Sequence, residues 1–226
     1  MVTLQLKQIR VPAGQRIILE DVSWQVFEAI LNELGEHRAS RVAYSQGTLE
    51  IMAPLPEHER TKVIIGDLVK ALLDELNLNW ESLGSTTFKR KDTSVGIEPD
   101  DCFYIQNYQL MIGKDKIDLT VDPPPDLAIE IDVTSKTQIS AYQALKVPEI
   151  WRYESKNLEI NLLQGEQYIK SLTSAIFPAF PVNEIIPRFV EMARTTGTSL
   201  ALRDFQEINY PNKRTTETQR TQREEK

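Results

Sequence analysis

A chain of 226 residues with 41% hydrophobic and 26% charged side chains can bury a sizeable core and has the balance of a soluble globular protein. A formal net charge of −7 and a pI near 5.1 speak against a surface coated in basic residues for gripping nucleic acid, though not against a local basic groove beside an acidic site. One cysteine, Cys102, excludes an internal disulfide, and with two histidines it leaves no zinc-type cluster. No apolar run approaches the ~18 residues of a membrane helix. The first residues, Met1 to Lys7, lack the apolar core of a signal peptide. The expectation is a cytosolic (cytoplasmic) protein with no membrane segment.

Ser23 reads as the N-cap of a helix from about Trp24 to Leu34, with Val26, Phe27, Ile30, Leu31 and Leu34 as its stripe and Gly35 closing it. A hairpin follows, Arg41 to Tyr44 and Thr48 to Met52 around Ser45-Gln46-Gly47. A longer helix runs from about Glu57 to Asn77, its apolar face carried by Val63, Ile64, Leu68, Ala71, Leu72 and Leu76. Residues 80–91 read as a strand ending in Lys89-Arg90-Lys91, and Gly96 to Ile105 as a second extended segment containing Pro99. Residues 106–122 are polar and loop-like, and Pro123-Pro124-Pro125 leads into the next strand.

That strand carries the chemistry. Leu127, Ile129, Ile131 and Val133 alternate with Asp126, Ala128, Glu130 and Asp132, a period of two with one apolar face. Residues on one face sit roughly 6.5–7 Å apart, so Glu130 and Asp132 are neighbours with Asp126 further back. Acids in such a row repel one another unless a cation or strong donors sit among them. A divalent-metal site is the hypothesis this raises.

Beyond the strand, Ser135-Lys136-Thr137-Gln138 has the form of a capping box opening a short helix to about Leu145, which Pro148 stops. Residues 149–153, 157–163 and 166–171 read as an antiparallel meander, and helices fill 183–194 and 198–208. From Pro211 the chain is apolar-poor and reads as a disordered tail. The order of elements is that of an α/β or α+β sheet with helices on its faces.

Metal-assisted phosphodiester hydrolysis needs hard oxygen ligands and gains from a nearby cation. Asp100 and Glu130 would be such ligands if their strands are neighbours; pairing with Arg or Lys is the plainer use of either. Lys136 falls in the first turn of its helix, where the macrodipole disfavours a positive charge. It makes sense there facing a phosphate or a carboxylate cluster; a solvated lysine is the alternative. Asp132 reads equally as a further ligand, as the residue that orients Lys136, or as an exposed strand-end acid. Asp101 and Asp126 read as turn residues. Lys89-Arg90-Lys91 would steer a phosphate backbone or simply form a wet edge, and His58 reads as structural rather than as a ligand.

Four stretches stand in order: Gly47 to Pro54 followed by His58, then Glu98-Pro99-Asp100, then Pro125 to Glu130, and finally Val147 to Trp151. Together they resemble the Uma-type (Uma-two) endonucleases of the PD-(D/E)XK superfamily. The resemblance spans roughly residues 15–195. It implies a restriction-endonuclease-like central mixed β-sheet flanked by helices, with residues 1–210 as one such domain and 211–226 as tail. It also implies a nuclease site using Mg²⁺ or Mn²⁺, with Asp100 and Glu130 as metal ligands and nucleic acid, DNA first, as substrate. A homodimer fits it, since two sites can cut two strands. The superfamily lysine belongs two positions after the glutamate, where this chain carries Asp132; Lys136 is the candidate for a migrated lysine. Glu50 is an accessory acid by the same resemblance. A non-catalytic nucleic-acid-binding or assembly protein with the same fold is the alternative function, and a hydrolase of a small phosphorylated substrate a third.

Overall fold

The computed structural model describes residues 5–35, 38, 40–132 and 139–209. Its elements in chain order are β1 (Arg16–Leu19), α1 (Trp24–Leu34), β2 (Arg41–Ser45), β3 (Thr48–Met52), α2 (Pro56–Glu75), β4 (Glu81–Ser82), β5 (Phe88–Arg90), β6 (Val95–Ile97), β7 (Asp101–Tyr104), α3 (Tyr108–Met111), β8 (Leu127–Ile131), α4 (Ile139–Leu145), β9 (Glu149–Glu154), β10 (Asn157–Gln164), β11 (Gln167–Ser171), α5 (Val182–Thr196) and α6 (Thr198–Asn209). A short 3₁₀ turn, Leu6–Gln8, precedes them. The tail from Pro211 lies outside the described residues.

The strands form two sheets. Five make an antiparallel sheet in the order β1-β3-β2-β6-β5, and six make a mixed sheet in the order β11-β10-β9-β8-β7-β4. In the mixed sheet only β8 and β9 run parallel, joined by the crossover that contains α4. This is the mixed sheet flanked by helices that the sequence leads one to expect, with a second sheet added.

The helices α1 and α2 form where their patterns say. Ser23 caps α1 by accepting the Val26 N–H at 3.3 Å, and the Gly35 N–H closes the other end on Leu31. Phe27 is the only residue of the expected α1 stripe that is fully enclosed, stacked on Tyr44 at 4.5 Å between ring centroids. Pro56 supplies the first helical position of α2, where its missing N–H costs nothing. Ile64, Leu68, Leu72 and neighbours pack against Leu127, Ile129 and Ile131 of β8 and against α5 and α6. Val26, Val63 and Leu76, assigned to apolar faces on sequence, are exposed.

Two extended segments expected as single strands are each divided between the sheets. Residues 80–91 give β4 in the mixed sheet and β5 in the other, and residues 96–105 give β6 and β7. The second break falls at Glu98-Pro99-Asp100, where proline cannot continue a ladder. Glu98 is buried there and accepts from Arg38, from the Thr87 hydroxyl and from the Val42 N–H at 3.1 Å. A buried carboxylate with three donors is held, so the crossing point is fixed rather than loose. Residues 108–111, expected as loop, form the single turn of α3. Among the described residues no helix is long and apolar enough to cross a membrane.

The first sheet docks on α1 through a backbone approach at Gly96. A Cβ there would come within 2.6 Å of Phe27 Cζ and 2.8 Å of Cε1. Gly96→Ala should therefore lower stability by about 1–3 kcal/mol, as overpacking of a closed core does. Urea unfolding checks this, and an unchanged midpoint would contradict the packing described.

Candidate active site

The site forms where β7 and β8 leave the end of the antiparallel ladder. The register pairs Asp101 with Ile129 and Cys102 with Ala128, and one further step places Asp100 opposite Glu130. Asp100 donates its N–H to Ile129 O at 3.0 Å, and its Oδ2 accepts the Ile131 N–H at 2.7 Å. The side chain thus ties the segment before β7 to β8 by accepting the backbone N–H of Ile131. Asp100 is 3% exposed and Glu130 is half-buried.

Glu130 projects away from the Leu127, Ile129 and Ile131 face, into the layer where α4 and the end of the first sheet cover Ala128 and Ile150. Tyr142 of α4 donates its hydroxyl to Glu130 Oε1. Burial first, and then the Asp100 carboxylate, push the Glu130 carboxyl well above its ordinary value of 4.5; the Tyr142 hydrogen bond opposes them in part. Burial beside Glu130 raises the Tyr142 hydroxyl as well. Two carboxylates held this closely suit either a shared proton or a cation.

Asp132, the position that holds lysine in the superfamily pattern, is not an exposed strand-end acid. It is 8% exposed, and its Oδ2 accepts from Arg152 Nη2 at 2.6 Å and Nε at 3.0 Å. Arg152 lies opposite Glu130 in the β8–β9 register, and its Nη1 also reaches Glu159 at 3.1 Å. Lys136, together with the capping box of Ser135 to Gln138, lies outside the described residues. Glu50 pairs with Arg16 at 3.0 Å. Asp126 does serve a turn, its Oδ2 accepting the N–H groups of Ile105 and Gln106 at 2.6 and 2.9 Å. Asp101 points to the other side of the sheet, accepting from the Ser82 hydroxyl at 3.1 Å and the Cys102 N–H at 2.9 Å, and burial raises its carboxyl. Lys89 and Arg90 are engaged with Glu28 and Asp92.

Three neighbours of the acidic pair carry no local signal in the sequence that would single them out. They are Arg41, whose Nε is 3.8 Å from Asp100 Oδ1, Tyr142 and Arg152. His58 is different: it stands in the motif set of the resemblance, and the structure puts its Nε2 3.0 Å from Asp100 Oδ2.

The chemistry of the donors fits a divalent ion in part. Two carboxylates from adjacent strands are hard oxygen ligands of the right kind. Among the described residues no group of three or more His, Cys, Asp or Glu is arranged to hold a metal, so the protein offers a pair that water and substrate oxygens would complete. A cavity of about 290 Å³ lies elsewhere, at the opposite ends of β8 and β9, lined by Asp126, Glu149, Ile105 and Ile176 among others. Its Glu149 is fully committed, accepting from Trp151 Nε1 at 2.5 Å and Ala175 N at 2.9 Å, with burial raising its carboxyl.

Residues 24–193 match the Uma2 family, whose description is "putative restriction endonuclease", and the chain belongs to that family. A solved structure described as a "putative nuclease belonging to DUF820" from Anabaena variabilis is similar at 14% identity, covering 70% of this chain and 92% of that one with a TM-score of 0.47. A search of curated proteins found no match.

The raised Glu130 carboxyl has a thermodynamic consequence. A group whose folded value is raised stabilises the fold below its ordinary value, and that contribution is lost as pH climbs through the raised one. Glu130→Gln, neutral throughout, should match wild type below pH 4.5 and become the more stable protein as pH rises above it, in the absence of divalent ions. Thermal melts across pH check this; equal Tm values at pH 8 would contradict the opposed carboxylates.

Proposed function

We propose that this chain is a metal-dependent endonuclease that hydrolyses phosphodiester bonds in nucleic acid, with DNA as the first substrate to test. The observation that carries the reading is the placement of Glu130 directly across from Asp100, where burial and the Asp100 carboxylate both raise the cost of ionising Glu130. Membership of the Uma2 family supports nuclease chemistry in general. Asp100 and Glu130 would hold Mg²⁺ or Mn²⁺, which when bound neutralises phosphate charge and lowers the pKa of a bound water.

The chain's own groups have separable tasks in this reading. Ile131 fixes one oxygen of Asp100 through its N–H, and Tyr142 fixes one oxygen of Glu130, so both carboxyls are oriented before substrate arrives. Arg152 neutralises Asp132 beside Glu130, which spares the site a third uncompensated acid. Lys136 is the proposed cation for the developing charge on phosphate. Action as a homodimer and a cytoplasmic setting belong to the same proposal.

A second reading has its own observation. The position two residues after Glu130 holds a buried acid tied to arginine, not a lysine open to substrate, and this favours a binding or assembly protein that keeps the nuclease fold. Cleavage assays separate the two. With Mg²⁺ or Mn²⁺ and plasmid, linear and single-stranded DNA as well as RNA, wild type should cut. Asp100→Asn and Glu130→Gln should each lose at least about 100-fold in rate, as removal of a charge-stabilising group does, with circular dichroism unchanged. Equal cutting by both variants would overturn the assignment, and DNA binding indifferent to EDTA with no cutting at all would establish the second reading.

A further inference from the structure

His58 lies in the first turn of α2 and is 2% exposed, yet neither ring nitrogen has a hydrogen-bond partner among the described residues. Nε2 stands 3.0 Å from Asp100 Oδ2 and Nδ1 3.5 Å from Glu59 Oε1, near enough to bond but out of line. A buried imidazole with unmade bonds is costlier than an apolar side chain of similar size, so a purely structural position would not favour histidine. Arg41 repeats the pattern from β2. Its Nε is buried without a partner, 3.8 Å from Asp100 Oδ1, while its Nη2 reaches Glu59 at 3.3 Å. Lys62, one turn further along α2, contacts Glu59 at 3.8 Å and the Ser85 hydroxyl at 3.0 Å. Two buried nitrogens from separate elements therefore face the two oxygens of one carboxylate.

We propose that His58 is a positioning residue for the acidic pair: its ring holds Asp100 through Oδ2 and thereby sets the affinity of Asp100 and Glu130 for a divalent cation. Partners behind a ligating carboxylate orient it and commonly change metal affinity by 10–100-fold when removed. The inference rests on the metal-dependent reading of the site and assigns His58 no direct contact with the ion.

The test is calorimetric titration of the full chain with Mn²⁺, using wild type, His58→Leu, His58→Ala, His58→Gln and Glu130→Gln, each checked for fold by circular dichroism. His58→Leu and His58→Ala should weaken the Kd roughly tenfold or more. His58→Gln keeps an N–H within reach of Asp100 and should recover most of that loss, a rescue that a merely space-filling role would not produce. The proposal is overturned if a folded His58→Leu or His58→Ala protein binds Mn²⁺ as wild type does, or if His58→Gln is as weak as His58→Leu. Unfolding of both apolar variants would also overturn it, making His58 a core residue. No Mn²⁺ binding by wild type, or binding that Glu130→Gln leaves intact, would instead overturn the carboxylate-pair reading and this inference with it.

Discussion

The bond from the Ile131 N–H to the Asp100 carboxylate is the contact on which the arrangement of the site depends. The chain must pass from one sheet to the other between β6 and β7, and Pro99 at that crossing removes a backbone donor. Asp100 ties the crossing to β8 with its side chain, which accepts the Ile131 N–H at 2.7 Å. The same bond fixes the carboxylate opposite Glu130. The ladder's local need and the site's geometry are met by one residue, and Glu98, clamped by Arg38, Thr87 and Val42, keeps the crossing in place.

Around this point the charges are arranged in a graded way. Asp100 faces His58 and Arg41 on the side of α2 and β2, while Glu130 faces Tyr142 and the apolar layer under α4. Asp132 is answered by Arg152 from the parallel neighbour strand. Glu130 is consequently the acid with the weakest compensation, and burial, with the Asp100 carboxylate beside it, pushes its carboxyl well up. An acid left in this condition inside a sheet destabilises the fold at neutral pH unless something positive joins it, which is the physical argument for a cation there.

Much of this was legible in the chain itself. Ser23, Gly35 and the period-2 runs of 41–52 and 149–171 define elements through local rules, and those elements form as read. The apolar side of β8 was equally plain, since Leu127, Ile129 and Ile131 alternate with acids. What local pattern could not express was partnership across the fold. The segments 80–91 and 96–105 each look continuous in sequence but divide between sheets, because the choice of sheet is made by distant strands. Asp132 had three readings of equal standing until its partner was known, and that partner lies twenty residues on along the chain, across the α4 crossover. His58 carried a helix-start context and a place in a motif, neither of which reveals that its ring meets Asp100.

The central claim is that Asp100 and Glu130 form one cation site. A crystal of the wild-type chain soaked in Mn²⁺ and measured at an energy giving manganese anomalous signal tests it directly. An anomalous peak contacted by both carboxylates is expected, absent from Glu130→Gln crystals treated alike. A peak confined to other acids, such as Asp126 and Glu149 at the far end of the strands, or no peak in a site accessible to solvent, would contradict it.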